Sequence, residues 1–463
     1  MGALGHRERP DLGGSVTDIV NTGRGSWSGY QGVAIVAFFV LALTIIKPIN
    51  IAAAVAATGL LVASRAVPAW KNGAVQHTRK AALVSAVLFL AMGLAAWQLD
   101  PLVARAAAVL LPFAAATGYL VMKGSLEARP LRLVAAGLLV IMVLAVGFVR
   151  IIGSDPPLID VYDLHISAAD SLLDLENPYT ETSAPDTRPN APPGSVWEGY
   201  PYPPLTLIAY TGAYIVLGDP RWMTVIAVAI AVVLMVQPWA ILGRAHAAAL
   251  VAVALALATQ PLLGYIVRSA WTDALALPFL AAAGVLWRKN PAMAAIALGL
   301  ALGTKQYFVL VLPLLLVWSD DFRWKRAGIA GSVAFLSVLP AFVVDAQGAW
   351  DALVVAHLET TLRLDSIGLA GFGWHVPTWL VIAATITTAL WMGWRGGLAS
   401  RFLIGLAATL GVTFMVGSQA FLNYWFIVGA VAVVAVASDE HLALTGRASG
   451  VGETAGEESA ARG

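Results

Sequence analysis

Apolar segments separated by short polar connections run through most of this chain. Apolar runs of about 18 or more residues are long enough to cross a bilayer as helices. Five apolar segments precede residue 153, near 32–46, 50–67, 81–97, 101–121 and 131–152. Ten more follow, near 203–217, 222–242, 247–265, 272–287, 291–304, 306–318, 327–344, 376–393, 402–417 and 420–437. The pattern predicts an all-α, polytopic integral membrane protein with roughly thirteen to fifteen transmembrane helices.

The composition agrees with a membrane protein and excludes some chemistry. The chain is 59% hydrophobic and 12% charged, with a mean hydropathy of +0.78, whereas soluble domains carry about 25% charged residues. A net charge of +1 gives no indication of a nucleic-acid partner. The chain has no cysteine, which excludes disulfides and cysteine-ligated metals. No cleavable secretory signal is recognisable in the first thirty residues, so we expect the first span to direct insertion.

Basic residues in the connections predict the topology. Connections 65–80 and 123–132 are rich in lysine and arginine, so the positive-inside rule places them in the cytoplasm. The N-terminus is then cytoplasmic and loop 153–202 is extracytoplasmic, in a multi-pass protein of the plasma membrane. Later basic clusters leave one crossing too many between residues 203 and 290. One segment there is therefore expected to be re-entrant or broken, and the best candidate for the break is Trp271-Thr272-Asp273.

Four parts follow from this organisation. Residues 1–30 are predicted to be a disordered cytoplasmic tail, and 31–130 a four-helix membrane extension. Residues 131–437 form the membrane core, which includes loop 153–202 and a second outside loop at 345–375. The Gly-, Ala- and Glu-rich residues 438–463 are predicted to be a disordered C-terminal tail.

Loop 153–202 contains an amphipathic pattern that predicts a helix over residues 160–175, lying along the membrane surface. The polar face carries Asp160, Asp163, Ser167, Asp170 and Asp174, and the apolar face carries Leu164, Ala168, Leu172 and Leu175. Asp160 follows soon after a span, where a carboxylate could take a proton from the hydroxyl of a lipid-borne substrate. The alternative is structural, with Asp160 as a helix N-cap and Asp163 completing a capping box.

Lys305 lies at the junction of two apolar segments, where an isolated cation is costly unless it meets an anion. A phosphodiester or diphosphate would serve, and the alternative is that the side chain snorkels to lipid phosphates. Arg268 and Asp273 are also ionisable groups near apolar segments, and they could simply pair with each other.

The second outside loop offers fewer signals. Glu359 and Arg363 are four residues apart, which suits a surface ion pair on a helix. His357 and His375 could reach the acidic loop, although their spacing does not indicate a metal site. The absence of a phosphate-binding loop, a dinucleotide fingerprint or a zinc-protease motif disfavours ATP-driven pumping, nicotinamide chemistry and zinc proteolysis.

Several short motifs occur in a recognisable order between about residue 130 and 435. They are Asp160-Val161-Tyr162, Ala168-Ala169, Leu172-Leu173, Asn177-Pro178-Tyr179, Tyr202-Pro203-Pro204, Gly303-Thr304-Lys305-Gln306 and Phe421-Leu422-Asn423-Tyr424. This order resembles the membrane-embedded (type C) glycosyltransferases, and among them the actinobacterial polyprenyl-phosphate-mannose-dependent mannosyltransferases. The chain departs from that family in placing five spans before the loop, and in having Asp174-Leu175-Glu176 where relatives carry a glycine.

The resemblance implies extracytoplasmic, inverting transfer of a sugar, mannose first, from a polyprenyl-phosphate donor to a lipid-linked or envelope glycan acceptor. Asp160 would be the general base, with Asp163 as the alternative. The residues near the donor phosphate would be Lys305, Arg268 and Arg363, and those that bind substrate would be Tyr202, Asn177, Gln306, Asp273 and His357. No cofactor is required, although some relatives use a divalent metal.

Three other functions remain open from the sequence. A lipid or glycan transporter, such as a flippase, would show interrupted helices in matched halves and charges buried within spans. A non-catalytic scaffold for envelope assembly would tolerate the loss of Asp160. A ligase that moves a whole glycan from a polyprenyl diphosphate would share the lipid donor and differ in its acceptor.

Overall fold

The computed structural model describes residues 128–157, 159–187, 194–240, 244–258, 261–318, 323–358, 365–394 and 399–438, together with 116–117 and 126. Helices make up 77% of this part. The predicted tail at 1–30, all but Ser438 of the predicted tail at 438–463, and nearly all of the predicted extension at 31–130 lie outside the described residues.

The first half of the described chain contains seven helices and one small sheet. The helices are α1 (Arg129–Ile151), α2 (Asp160–Leu173), α3 (Pro178–Glu181), α4 (Pro204–Leu217), α5 (Trp222–Val236), α6 (Arg244–Ala258) and α7 (Pro261–Arg268). The sheet pairs β1 (Ser183–Pro185) with β2 (Val196–Glu198) in antiparallel orientation, with Ala184 opposite Trp197. The sheet lies within the predicted outside loop.

The second half alternates α-helices with short 3-10 and π turns. Its α-helices are α8 (Ala276–Leu286), α9 (Pro291–Leu302), α10 (Leu312–Val317), α11 (Arg323–Val344), α12 (Ala346–Trp350), α13 (Ala356–Leu358), α14 (Thr378–Gly393), α15 (Ala399–Val416) and α16 (Leu422–Ala437). The 3-10 segments are Thr272–Leu275, Gln306–Val311 and Leu369–Phe372, and the π turn is Asp351–Val355.

Three of these helices, α1, α11 and α15, are long and apolar enough to cross a membrane. The number rises to five if two sharply bent pairs each count as one span: α4 with α5, bent by 107°, and Leu262–Arg268 with Thr272–Leu286, bent by 106°. Shorter apolar helices include α9 and α14. This architecture agrees with the expected all-α membrane class.

The break predicted near Trp271-Thr272-Asp273 is confirmed. The chain turns between α7 and the following 3-10 segment, and Ala270 has a positive φ of 55°. Thr272 and Asp273 are each only 1% exposed, and Ala270 is fully buried. The irregular backbone is thus covered by protein, as an apolar solvent requires. The predicted segment 222–242 ends earlier, at Val236, because Gln237 turns the chain with a φ of 48°.

A large apolar core joins the long helices, and a second, smaller core lies under the loop. The second core packs Ala168, Tyr179 and Tyr200 of the first outside loop against Ala349 and Leu353, which follow α11. Because residues from both predicted outside loops share this core, the two loops form one folded layer.

The surface helix was predicted well except at its end. α2 buries Leu164 and Ala168 and exposes Asp170, as the amphipathic pattern indicated. Leu175 was assigned to the apolar face, but it is 93% exposed. The reason is that α2 ends at Leu173 and Leu175 adopts a positive φ of 61°, which takes it off the helical face.

Candidate active site

A cavity of about 430 Å³ lies where the loop layer meets the apolar helices. Its wall draws on the start of α2, strand β2, the break before α8, the junction after α9, helix α13 and the start of α16. Its ionisable side chains other than tyrosine are Asp160, Lys305, His357 and Asp365. Rings of Trp197, Tyr202, Tyr265, Trp271, Phe421 and Tyr424 make up much of the rest.

Asp160 is the first residue of α2 and faces the cavity. Its Oδ2 accepts a hydrogen bond from the Trp197 indole at 2.8 Å, and its Oδ1 accepts one from the Val161 N–H at 2.8 Å. Its own N–H donates to Thr187 Oγ1 at 3.1 Å. The carboxylate is half-buried. Its two hydrogen bonds, from Trp197 and Val161, hold it in one orientation.

The alternative that Asp160 is the N-cap of this helix is wrong. The N-cap of α2 is Ile159, in extended conformation, and its side chain makes no capping hydrogen bond. Asp163 therefore does not complete a capping box with Asp160. Asp163 is half-buried but is not part of the cavity wall, and burial raises the pKa of its carboxyl. The geometry thus brings Asp160 to the cavity and leaves Asp163 out of it.

Lys305 is buried between rings. It is 6% exposed, and its Nζ lies 5.1 Å from the ring centre of Tyr202, 5.6 Å from Tyr424 and 5.7 Å from Tyr307. Electron-rich ring faces attract a cation at such distances. This cage holds the buried ammonium at the cavity wall, and the side chain does not extend to the exposed surface of the described structure.

Asp273 neutralises this lysine from behind the cavity wall. Its Oδ2 accepts from Lys305 Nζ at 3.1 Å and from Asn423 Nδ2 at 2.7 Å, and its Oδ1 accepts from the Tyr307 hydroxyl at 2.6 Å. Three donors satisfy a carboxylate that water cannot reach. The alternative that Asp273 pairs with Arg268 is wrong, since Asp273 pairs with Lys305 and Arg268 is exposed at the end of α7.

His357 and Gln306 meet at one backbone carbonyl. Gln306 Nε2 donates to Pro201 O, and His357 Nε2 lies 3.1 Å from both that oxygen and Gln306 Nε2. Of these two predicted substrate-binding residues, His357 is part of the cavity wall, and Gln306 supports it from the side.

The remaining predicted site residues fall elsewhere. Asn177 is the N-cap of α3, accepting from Tyr179 N at 3.1 Å, and its Nδ2 reaches Asp345 Oδ2 at 3.5 Å. It does not line the cavity, so the substrate-binding role expected for it has no geometric basis. Arg363 and the predicted Glu359–Arg363 pair lie outside the described residues.

His165 is a buried residue that the sequence did not single out. It is 2% exposed, stacks on Tyr210 at 4.2 Å between ring centres, and burial lowers its pKa to about 3. Its Nε2 lies 3.3 Å from Ala270 O, which can only accept, so Nδ1 accepts from the Tyr200 hydroxyl at 2.9 Å. His165 thereby ties α2 to the break at Ala270. A histidine inside an otherwise apolar helical face was the available signal.

Potential metal ligands are dispersed in the part of the chain with described coordinates. There, no group of three or more histidine, aspartate or glutamate side chains is placed to hold an ion. His375, one of the two loop histidines, is exposed and away from the cavity.

Comparisons of the chain with protein-family models, with curated proteins and with solved structures find no match. The resemblance to type C glycosyltransferases therefore depends on the order of the motifs alone.

Proposed function

We propose that the protein transfers a sugar, mannose first, from a polyprenyl-phosphate donor to a lipid-linked or envelope glycan acceptor at the outer face of the plasma membrane. One observation carries the proposal. A fixed carboxylate, Asp160, and a caged ammonium, Lys305, line the same cavity between a polar loop layer and apolar helices. A base and a cation are the two groups that displacement of a lipid phosphate requires.

The reaction is a single displacement. Asp160 takes the proton of the acceptor hydroxyl while that oxygen attacks the anomeric carbon. The bond from this carbon to the phosphate oxygen breaks, and the electron pair leaves with the polyprenyl phosphate, whose charge Lys305 stabilises. Attack opposite the leaving group inverts the anomeric centre. Trp197 keeps one carboxylate oxygen in place at 2.8 Å, which leaves the base oriented before the acceptor binds.

The chain direction of two candidate spans supports an extracytoplasmic site in a polytopic topology. α1 begins at Arg129, in a basic stretch, and leads into loop 153–202. α11 begins at Arg323, also in a basic stretch, and is followed by Asp345, which contacts Asn177 in that loop. The positive-inside rule places basic helix ends in the cytoplasm. The loop layer and the cavity then face outside. The whole chain has roughly thirteen to fifteen transmembrane helices in this proposal.

The test is sugar transfer in reconstituted membranes supplied with radiolabelled polyprenyl-phosphate-mannose and a lipid extract of the source cell. We expect Asp160→Asn to lower the transfer rate by about 10²–10⁴-fold. Asp163→Asn, outside the cavity, and Asp170→Asn, exposed on the same helix, are matched controls with rates near that of wild type. If only Asp163→Asn is inactive, the base is misassigned. If wild type transfers neither mannose, arabinose nor glucose, the proposal fails.

A transporter is the second candidate, because the structure contains two sharply bent helix pairs, at 107° and 106°. Interrupted helices at a central cavity are a feature of secondary transporters. Both breaks lie between residues 204 and 286, however, so they are neighbours along the chain and not counterparts in two halves. Uptake of a labelled polyprenyl-phosphate lipid across a proteoliposome bilayer, without sugar transfer and unaffected by Asp160→Asn, would favour this candidate.

A further inference from the structure

The aromatic ring of Tyr202 is fixed by contacts that do not use its hydroxyl. Tyr202 precedes α4, and its backbone oxygen accepts a hydrogen bond from the Tyr179 hydroxyl at 3.2 Å. Its ring centre lies 5.4 Å from that of Tyr200 and 5.8 Å from that of His165. The ammonium of Lys305 lies 5.1 Å from the centre of the same ring. The side chain is therefore held in place, and the hydroxyl takes no part in holding it.

The hydroxyl of Tyr202 has no hydrogen-bond partner among the residues that the structure describes, although Tyr202 is only 8% exposed. The residue lines the cavity, and its hydroxyl oxygen is not sealed within the protein. By contrast, neighbouring tyrosines each use their hydroxyls in hydrogen bonds within the protein, namely Tyr179, Tyr200, Tyr210 and Tyr307. A largely buried polar group without a partner calls for a reason, and a ligand in the cavity would supply one.

The described wall of the cavity has too little positive charge to neutralise a leaving phosphate. Lys305 is the one lysine or arginine among the wall residues that the structure describes, and it already pairs with Asp273 at 3.1 Å. Asp160 and Asp365 add two carboxylates to the same wall. Departure of the sugar leaves polyprenyl phosphate with one more negative charge than the phosphodiester had. Neutral donors must therefore share in stabilising it.

We propose that the Tyr202 hydroxyl donates a hydrogen bond to an oxygen of the donor phosphate, and that this bond strengthens as the phosphate leaves. The inference rests on the proposed function and adds a catalytic residue to it. The hydroxyl at the edge of the ring and the ammonium over its face are held by one rigid group. A phosphate that meets Lys305 therefore comes within reach of the hydroxyl.

The hydroxyl acts as a donor and keeps its proton. Burial, and after it the charge of Asp160, raise the pKa of the Tyr202 hydroxyl above its ordinary value. The electron pair of the breaking bond stays on the phosphate oxygen, and no proton moves from the tyrosine to the leaving group. Hydrogen bonds to an ionised acceptor are stronger than those to a neutral one, so the added charge of the departing phosphate strengthens this bond.

The variant Tyr202→Phe removes this hydroxyl alone. It keeps the ring beside Lys305 and leaves the pair of Lys305 with Asp273 intact, so the melting temperature should not change. The experiment measures the dissociation constants of polyprenyl phosphate and of polyprenyl-phosphate-mannose with the purified full chain in lipid nanodiscs. We expect the variant to bind polyprenyl phosphate about tenfold more weakly than wild type. Binding of the mannose lipid, whose phosphate carries less charge, should weaken about threefold.

The matched control is Tyr214→Phe, on α4 and outside the cavity wall, which should change neither constant. Weaker binding of the mannose lipid alone would assign the hydroxyl to the sugar and overturn the inference, and so would unchanged constants for both lipids. A lower melting temperature for Tyr202→Phe would show that the hydroxyl is used within the protein, which also overturns it. These results leave the proposed function standing, whereas failure of wild type to bind either lipid overturns both.

A second measurement follows the rate of mannose transfer as the donor concentration is raised to saturation. Because the proposed hydrogen bond is stronger in the transition state than in the bound donor, Tyr202→Phe should lower kcat about tenfold and raise KM about threefold or less. A rise in KM with an unchanged kcat would contradict the strengthening of this bond during the reaction.

Discussion

Asp160 and Lys305 face the same cavity, but they are held by different surroundings. Asp160 starts a helix in the polar loop layer, is half-buried, and has the neutral donors Trp197 and Val161 within hydrogen-bond distance. Lys305 lies at a junction of apolar helices, with rings around it and Asp273 as its counter-ion. A base must gain and lose a proton, which suits a site close to water. A cation that stays charged in an apolar layer needs a buried anion.

The largest expected effect tests the buried side of this comparison. Asp273→Asn leaves the Lys305 ammonium without its anion, which should lower the free energy of unfolding by about 3–5 kcal/mol. Thermal unfolding in detergent measures the loss. The double replacement Asp273→Leu with Lys305→Met should recover most of it, because neither charge then remains buried. Additive losses in the double variant would contradict the coupling of the two residues.

The next effect concerns the histidine that joins the two sides. The unfolded imidazole of His165 binds a proton below about pH 6.5, whereas burial lowers the folded pKa to about 3. Because the unfolded state then binds more protons, stability is lost as the pH falls from about 6.5 to 3, by up to about 1.4 kcal/mol per pH unit from this group. Unfolding curves across this range should be less steep in pH for His165→Phe. Parallel curves for both proteins would show that His165 does not carry the effect.

On the polar side, Trp197→Phe removes the indole donor to Asp160 and keeps a ring on β2. A hydrogen bond to a charged group is worth about 1.5–3 kcal/mol. We expect the transfer rate to fall about tenfold, with the stability of the protein little changed. Trp374→Phe, at a tryptophan that is 65% exposed, is the matched control. Equal rates for the two variants would mean that the indole does not orient the base.

The smallest expected effect is on the free energy of unfolding, and it concerns the break in the chain before Asp273. Ala270 has a φ of 55°, a conformation that costs an alanine about 1–2 kcal/mol and a glycine almost nothing. Part of the gain from Ala270→Gly is offset by the greater freedom of glycine in the unfolded chain, so we expect a rise in stability of about 0.5 kcal/mol. Ala281→Gly, in the interior of helix α8, should lower the stability instead. A loss at both positions would mean that the break is not strained.

The features that the sequence predicted are local. The surface helix from Asp160 follows from the spacing of acids and apolar residues over a few turns. The break near Asp273 follows from a count of crossings and a short polar stretch. Lys305 was singled out because a lone cation between apolar segments has few explanations.

The features that the sequence did not predict depend on contacts between distant segments. Asp273 and Lys305 meet only because a bent helix pair and a helix junction come together, and no local pattern encodes that meeting. Asn177 was grouped with the site through its motif, but it serves as a helix cap, a role that the same residue type fills equally well. Tyr202 was predicted to bind substrate only through its motif, because a hydroxyl without a partner can be recognised only once its neighbours are placed.

The small core under the loop layer also sets an order of events during biosynthesis. Tyr200 packs in that core with Ala349 and Leu353, which lie about 150 residues further along the chain. At a synthesis rate of about 5–20 residues per second, a ribosome adds these two residues about 10–30 s after Tyr200. Until the residues that follow α11 have been synthesised, loop 153–202 lacks this packing partner. The cavity is therefore completed late, and a chain stalled before residue 349 would carry Asp160 and Lys305 without a finished site between them.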